Sequence, residues 1–150
     1  MGVKISYSIA PDVAIEQAVD SIRQQVEARS YQAANELRKS ALEILRGQRN
    51  GRRYRVPGKK TYYTASAPGE PPAARTGLFR LSWHPTALKE GDTYISRIES
   101  DRRTSKGKYI LGEILEEGTP GGQMAPRPHQ DKILEDAEPK IERIYSEPYD

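Results

Sequence analysis

The chain contains no cysteine, which excludes disulfides and Cys-ligated zinc and leaves the redox compartment unread. It has two histidines, His84 and His129, each adjoining a proline, and neither has a second histidine at metal-ligand spacing. Asp131 stands near His129, but a lone pair is a weak metal signal, so no metal and no cofactor are expected. No apolar run approaches the roughly 18 residues that cross a bilayer. The opening MGVKISYSIAPDV also lacks the basic-then-apolar layout of a secretory signal. A soluble protein made and used in a cytoplasm, without a membrane partner, is the expectation. Apolar residues make up 35% of the chain and charged residues 30%, with a mean hydropathy of −0.81. That is polar for a self-sufficient globule of 150 residues, a length that suits one domain, 1–150. Either part of the chain is an extended arm, or part of its apolar surface is buried against other subunits.

Acids are missing where bases are dense. Between Glu43 and Glu70 there is no Asp or Glu, yet Arg46, Arg49, Arg52, Arg53, Arg55, Lys59 and Lys60 all fall there. After Gln130 the balance reverses, with Asp131, Glu135, Asp136, Glu138, Glu142, Glu147 and Asp150 against Lys132, Lys140 and Arg143. Such a chain can pair head-to-tail with its own copies, or turn its basic part toward a polyanion. Oppositely charged solvated faces are the plain alternative.

Periodicity outlines the elements. Val3 to Ile9 alternates apolar and polar, the pattern of a half-buried strand. Pro11, with Asp12 and Glu16, opens a helix at its positive end. Apolar positions then recur every three or four residues as Ile15, Val19, Ile22, Val26, Ala33, Leu37, Ala41 and Ile44, broken only by Ser30. This helix should end near Gly47 and run for roughly 50 Å, longer than a domain of this size is wide. One end is therefore expected on a neighbouring subunit, or the helix is an ordinary long core helix. Residues 48–72 read as an extended basic arm or hairpin, with a strand-like piece at Thr61–Thr64. Arg75 to Trp83 predicts a short helix docked by Leu78 and Leu81, with Trp83 a further candidate for its apolar face and Arg80 outward. Thr86–Leu88 and Tyr94–Ile98 predict strands about a Glu90-Gly91-Asp92 turn. Tyr109–Glu116 predicts a helix stopped by Gly118. After Pro128 comes a closing helix bearing Ile133, Leu134, Ala137, Ile141 and Ile144, disturbed by Pro139. The order predicts an α+β domain: a long N-terminal helix on a small antiparallel sheet, a basic arm, and a closing helix.

Enzymatic patterns fail on mechanics. GRRYRVPGKKT at Gly51–Thr61 mimics a phosphate-binding loop, but its second glycine comes seven residues after the first rather than five. Lys60 also separates Lys59 from Thr61, and Pro57 removes a backbone donor. No GxSxG elbow marks a nucleophilic serine. Glu116 and Glu117 are adjacent on a helix and point apart, which disfavours shared acid–base work. No catalytic residue is assigned, and the chain is expected not to be an enzyme.

Three segments remain. SAPGEPPAARTGLFR spans Ser66–Arg80: a proline-stiffened approach, a capping Thr76, a turning Gly77, then Leu78. YILGEILEEGT spans Tyr109–Thr119, and Met124-Ala125-Pro126-Arg127-Pro128 leads into the closing helix. In this order they resemble the small tail-component proteins of long-tailed bacteriophages, known as neck, head–tail joining or tail-completion proteins. The matching positions are Pro68, Gly69, Pro71, Pro72, Arg75, Thr76, Gly77, Leu78, Arg80, Leu115, Glu116, Gly118, Thr119, Ala125, Pro126, Arg127 and Pro128. The chain departs from the family pattern at Glu117 and His129, where apolar or aromatic residues are common.

The resemblance implies a structural role in the virion, at the head–tail junction, after assembly in the host cytoplasm. It implies a ring of identical subunits on the tail axis, between head-completion or stopper proteins and the tail tube or tail terminator, with double-stranded DNA passing through. Arg49, Arg52, Arg53, Arg55, Lys59 and Lys60 are the candidates for contact with a neighbouring subunit or transient, non-specific contact with viral DNA in the lumen. Within this reading Ser66–Arg80 is the hinge between the basic arm and the folded domain. The alternative is a stand-alone, sequence-independent double-stranded DNA-binding protein. A hydrolase using His84 or His129 is a third reading.

Overall fold

The computed structural model describes residues 3–6, 8, 10–46 and 49–150. Helix α1 (Pro11–Ile44) has Pro11 at its first position, where the missing N–H costs nothing, and Asp12 in its first turn. Its 34 residues span about 51 Å. The buried positions are small: Ser30, Ala33, Ala34, Ser40 and Ala41. Small side chains let other elements approach the helix axis closely, and two elements do.

The first is a hairpin of β3 (His84–Glu90) and β4 (Thr93–Glu99), antiparallel from His84↔Glu99 to Glu90↔Thr93. Its two-residue loop needs positive φ, and Gly91 supplies it at 59°. Ser96 Oγ donates to Ser30 O at 2.8 Å, pinning β4 to the middle of α1. The second is the closing helix α4 (Gln130–Ser146), which runs antiparallel to α1. Ile133 packs near Leu45 at one end, and Asp150 exchanges two hydrogen bonds of 3.0 Å with Gln25 at the other. Arg29 straps the tail down: its guanidinium donates to the carbonyls of Tyr145, Glu147 and Pro148 and stacks 3.9 Å from the Tyr149 ring centroid.

Between these elements lie β1 (Arg53–Arg55) and β2 (Tyr62–Thr64), which form a second antiparallel hairpin, and two short helices, α2 (Leu78–Leu81) and α3 (Leu111–Glu117). The core gathers Ala41, Leu45, Trp83 and Ile133, flanked by Ile44, Phe79 and Ile98. The architecture is α+β, with a long N-terminal helix, two small antiparallel sheets and a C-terminal helix.

Several local expectations are corrected. Val3–Ser6 form no strand, and Val3 and Ile5 are fully exposed, because alternation supplies a face but no partner edge. Tyr7, Ile9 and Gly47 lie outside the described residues. The short helix is docked by Phe79 and Trp83, whose rings meet edge-on at 5.7 Å, while Leu78 and Leu81 are exposed. Arg80 points inward: its Nε donates to Leu42 O at 2.7 Å, satisfying one of the orphan carbonyls at the end of α1. Helix α4 continues through Pro139 without interruption.

Candidate interaction surfaces

Parts of the three segments singled out in the sequence meet although they are far apart in the chain. Gly69 N–H donates to Pro126 O at 3.2 Å, and Lys132 Nζ reaches Gly69 O. Arg127 N–H donates to Leu115 O at 2.6 Å, and its guanidinium bonds Ser66 Oγ and the Ala125 and Pro126 carbonyls. Thr119 and Met124 close a loop by two mutual hydrogen bonds. Gly118 is required there: its φ is 84°, and a Cβ would sit 2.7 Å from Met124 O. Glu116 Oε2 accepts from the N–H groups of His129 and Gln130, so a carboxylate from α3 caps the start of α4. His129 is fully buried, edge-on to both Phe79 and Trp83, with Nδ1 3.0 Å from Glu116.

Pro68, Pro71 and Pro72 therefore do not lead into a loose hinge. Pro72 is buried, and its carbonyl accepts from Arg49 Nε at 3.2 Å. Glu70 Oε1 accepts from the backbone of Ala67 and Asn50, and Oε2 from the Asn50 side chain. These amides hold the Glu70 carboxyl below the ordinary carboxylate range. Thr76 Oγ1 accepts from Leu78 N–H at 3.3 Å, one residue before the cap position, which Gly77 occupies with φ 78°. The Ser66–Arg80 stretch is a clasp.

The six basic candidates divide. Arg49 is half-buried, donates to the Ile44 and Pro72 carbonyls, and has its pKa lowered by that burial, against the pull of Glu70. It ties the arm to the end of α1. Arg52, Arg53, Arg55, Lys59 and Lys60 are exposed on the β1–β2 hairpin. Among the described residues none of these five pairs with a carboxylate. Arg52 and Arg53 lie over the Tyr54 and Tyr62 rings, at 5.6 and 4.6 Å, which holds their charges outward on a rigid base.

Two further surfaces stand out, the first on the helix stripe already read from periodicity and the second without a full sequence signal. The first half of α1 leaves Val13, Ile15, Val19 and Ile22 exposed, Ile15 at 63%. The second is a groove of about 610 Å³ whose apolar lining includes Phe79, Leu78, Leu111 and Leu115. Its walls carry Arg75, Arg80, Arg102, Arg103 and Arg127 and no acid. Arg75, Arg80 and Arg127 come from the motif segments, whereas Arg102 and Arg103 belong to no motif and join them only where the residue 100–110 loop meets those segments. Among the described residues no three potential metal ligands cluster, and no helix is long and apolar enough to cross a membrane. No protein-family model, curated protein or solved structure matches this chain at a significant level.

Proposed function

We propose that this chain is a structural component of a tailed-phage head–tail connector: a neck or tail-completion protein that forms a ring on the tail axis, joins head to tail and lets DNA pass. The observation that carries the reading is the first half of α1. It projects an unpartnered apolar stripe from a folded body, as a subunit built to meet its neighbours would. The convergence of the three family-like segments on one clasp supports the resemblance that suggested the role. The partners are copies of itself, head-completion or stopper proteins, and tail-tube or terminator proteins, and no catalytic step is assigned.

The exposed cations of the β1–β2 hairpin favour a second reading, a stand-alone duplex-DNA binder, and they would serve equally as a lumen-facing arm. Negative-stain electron microscopy and mass photometry of the purified chain, alone and with tail or connector proteins, separate the two. Rings are the expected result. A monomer that binds no such partner, yet holds duplex DNA with a steep salt dependence lost on neutralising Arg52, Arg53, Arg55, Lys59 and Lys60, would replace the first reading with the second.

A further inference from the structure

We infer that the bare half of α1 seats in the arginine-walled groove of an adjacent copy, so that one chain carries both halves of its own assembly contact. This rests on the ring reading and specifies the surfaces that would build it. The two surfaces are complementary in both apolar character and charge. Between Pro11 and Ile22 there are three acids, Asp12, Glu16 and Asp20, and no base. They are spaced four apart, so they form a row along the helix beside the Ile15–Val19–Ile22 stripe. Like charges at that spacing repel one another, and among the described residues none has a cationic partner. Asp20 borders a cleft that also contains Arg23 and Lys89; Asp12 and Glu16 lie beyond it.

The groove has the opposite character. Its five arginines also lack carboxylate partners among the described residues. Arg80, Arg103 and Arg127 spend donors on protein carbonyls or a hydroxyl, and Arg75, Arg102 and Arg103 are exposed. A lining that mixes apolar side chains with uncompensated arginines suits an amphipathic acidic helix better than a nucleic-acid backbone, which offers the apolar part nothing to bury.

The occupant must come from another molecule. Leu45 lines the groove at the far end of α1, and Val13 lies 32 residues earlier on the same helix, about 48 Å away along its axis. The helix cannot fold back on its own groove. A contact between two different patches is heterologous, and repeating it generates a ring when the rotation closes. The acidic C-terminal segment is not available as a rival occupant, because Arg29 and Gln25 hold it on α1 of its own chain.

The absence of native cysteine makes a direct test clean. An Ile15→Cys chain mixed with a Ser105→Cys chain should give a mixed dimer with a short bis-maleimide, well above either chain alone. In parallel, sedimentation velocity should show Glu16→Arg and Arg102→Glu each weakening self-association by about tenfold, and the double variant recovering most of it. Circular dichroism checks that each variant is folded, and the recovery would not occur if the single changes acted by unfolding. Oligomers that form normally in every variant, with no mixed cross-link, overturn this contact and leave the ring reading standing. A chain that is monomeric alone and with connector proteins overturns both. Loss of duplex-DNA binding in Arg102→Glu with assembly intact would make the groove a phosphate-binding surface and overturn the proposal.

Discussion

One helix, α1, carries a single apolar stripe, and its two halves meet opposite fates. From Gln25 to Leu45 it is covered by β4, α4 and the strapped C-terminal tail, and its buried positions are mostly alanine and serine. From Pro11 to Ile22 it offers valine and isoleucine to solvent. Burial thus runs opposite to side-chain size. Small residues mark where this chain packs on itself, because they let a sheet and a helix approach the same axis. Large aliphatics mark where, among the described residues, the helix has little of its own chain against it, and their hydrophobic surface stays open to solvent.

Truncating the two ends of the stripe should separate them most clearly. Leu45 is 2% exposed in the core beside Trp83 and Ile133. Leu45→Ala should cost about 2–5 kcal/mol, measured as a lower urea midpoint with an unchanged slope. A smaller effect tests the clasp that follows this core. Backbone amides depress the Glu70 pKa, so the folded state binds that proton less readily than the unfolded chain does. The resulting stabilisation is present above the unfolded carboxylate pKa and is lost as pH falls through the lower folded value. Glu70→Gln should therefore reduce stability at neutral pH and flatten its decline on acidification, as followed by thermal melts across pH. Smallest of all, Ile15→Ala should leave monomer stability within about 0.5 kcal/mol by the same urea measurement, because an exposed side chain gives up little packing. A large loss there would mean that the bare half is packed in solution after all, and the comparison would collapse.

The same contrast explains what was legible in advance. Pro11 and Asp12 mark the start of α1, Gly91 marks the tight hairpin, and Gly118 marks the end of α3, because each acts through local backbone chemistry. The α+β order follows from those marks. Periodicity correctly located the stripe on α1 but could not show that a partner covers only half of it. Near α2 the reading failed for a related reason. A four-residue helix has too little periodicity to choose its inner face, so the pattern points to Leu78 and Leu81 where Phe79 packs beside the candidate Trp83 instead. Arg49 and Arg80 were read as outward charges, yet both turn toward the carbonyl end of α1, whose need for donors appears only once the helix has a defined end. Of the arginine groove, Arg75, Arg80 and Arg127 stand in the motif segments, but Arg102 and Arg103 carry no pattern that ties them to the rest.

The uninterrupted run of α1 from bare half to packed half has a mechanical consequence. A continuous helix transmits azimuth as well as distance: each residue inserted or deleted between Ile22 and Ser30 turns the outer face by about 100° and shifts it by about 1.5 Å. The anchored half is keyed to the body by Ser30 and Arg29, so the direction in which Ile15 and Val19 face is set by residue count alone. Any neighbour met through that face is met at one angle. Were copies to close a ring through that face, as proposed, that angle would decide how many complete the circle, and the length of one helix would gauge the symmetry of the ring.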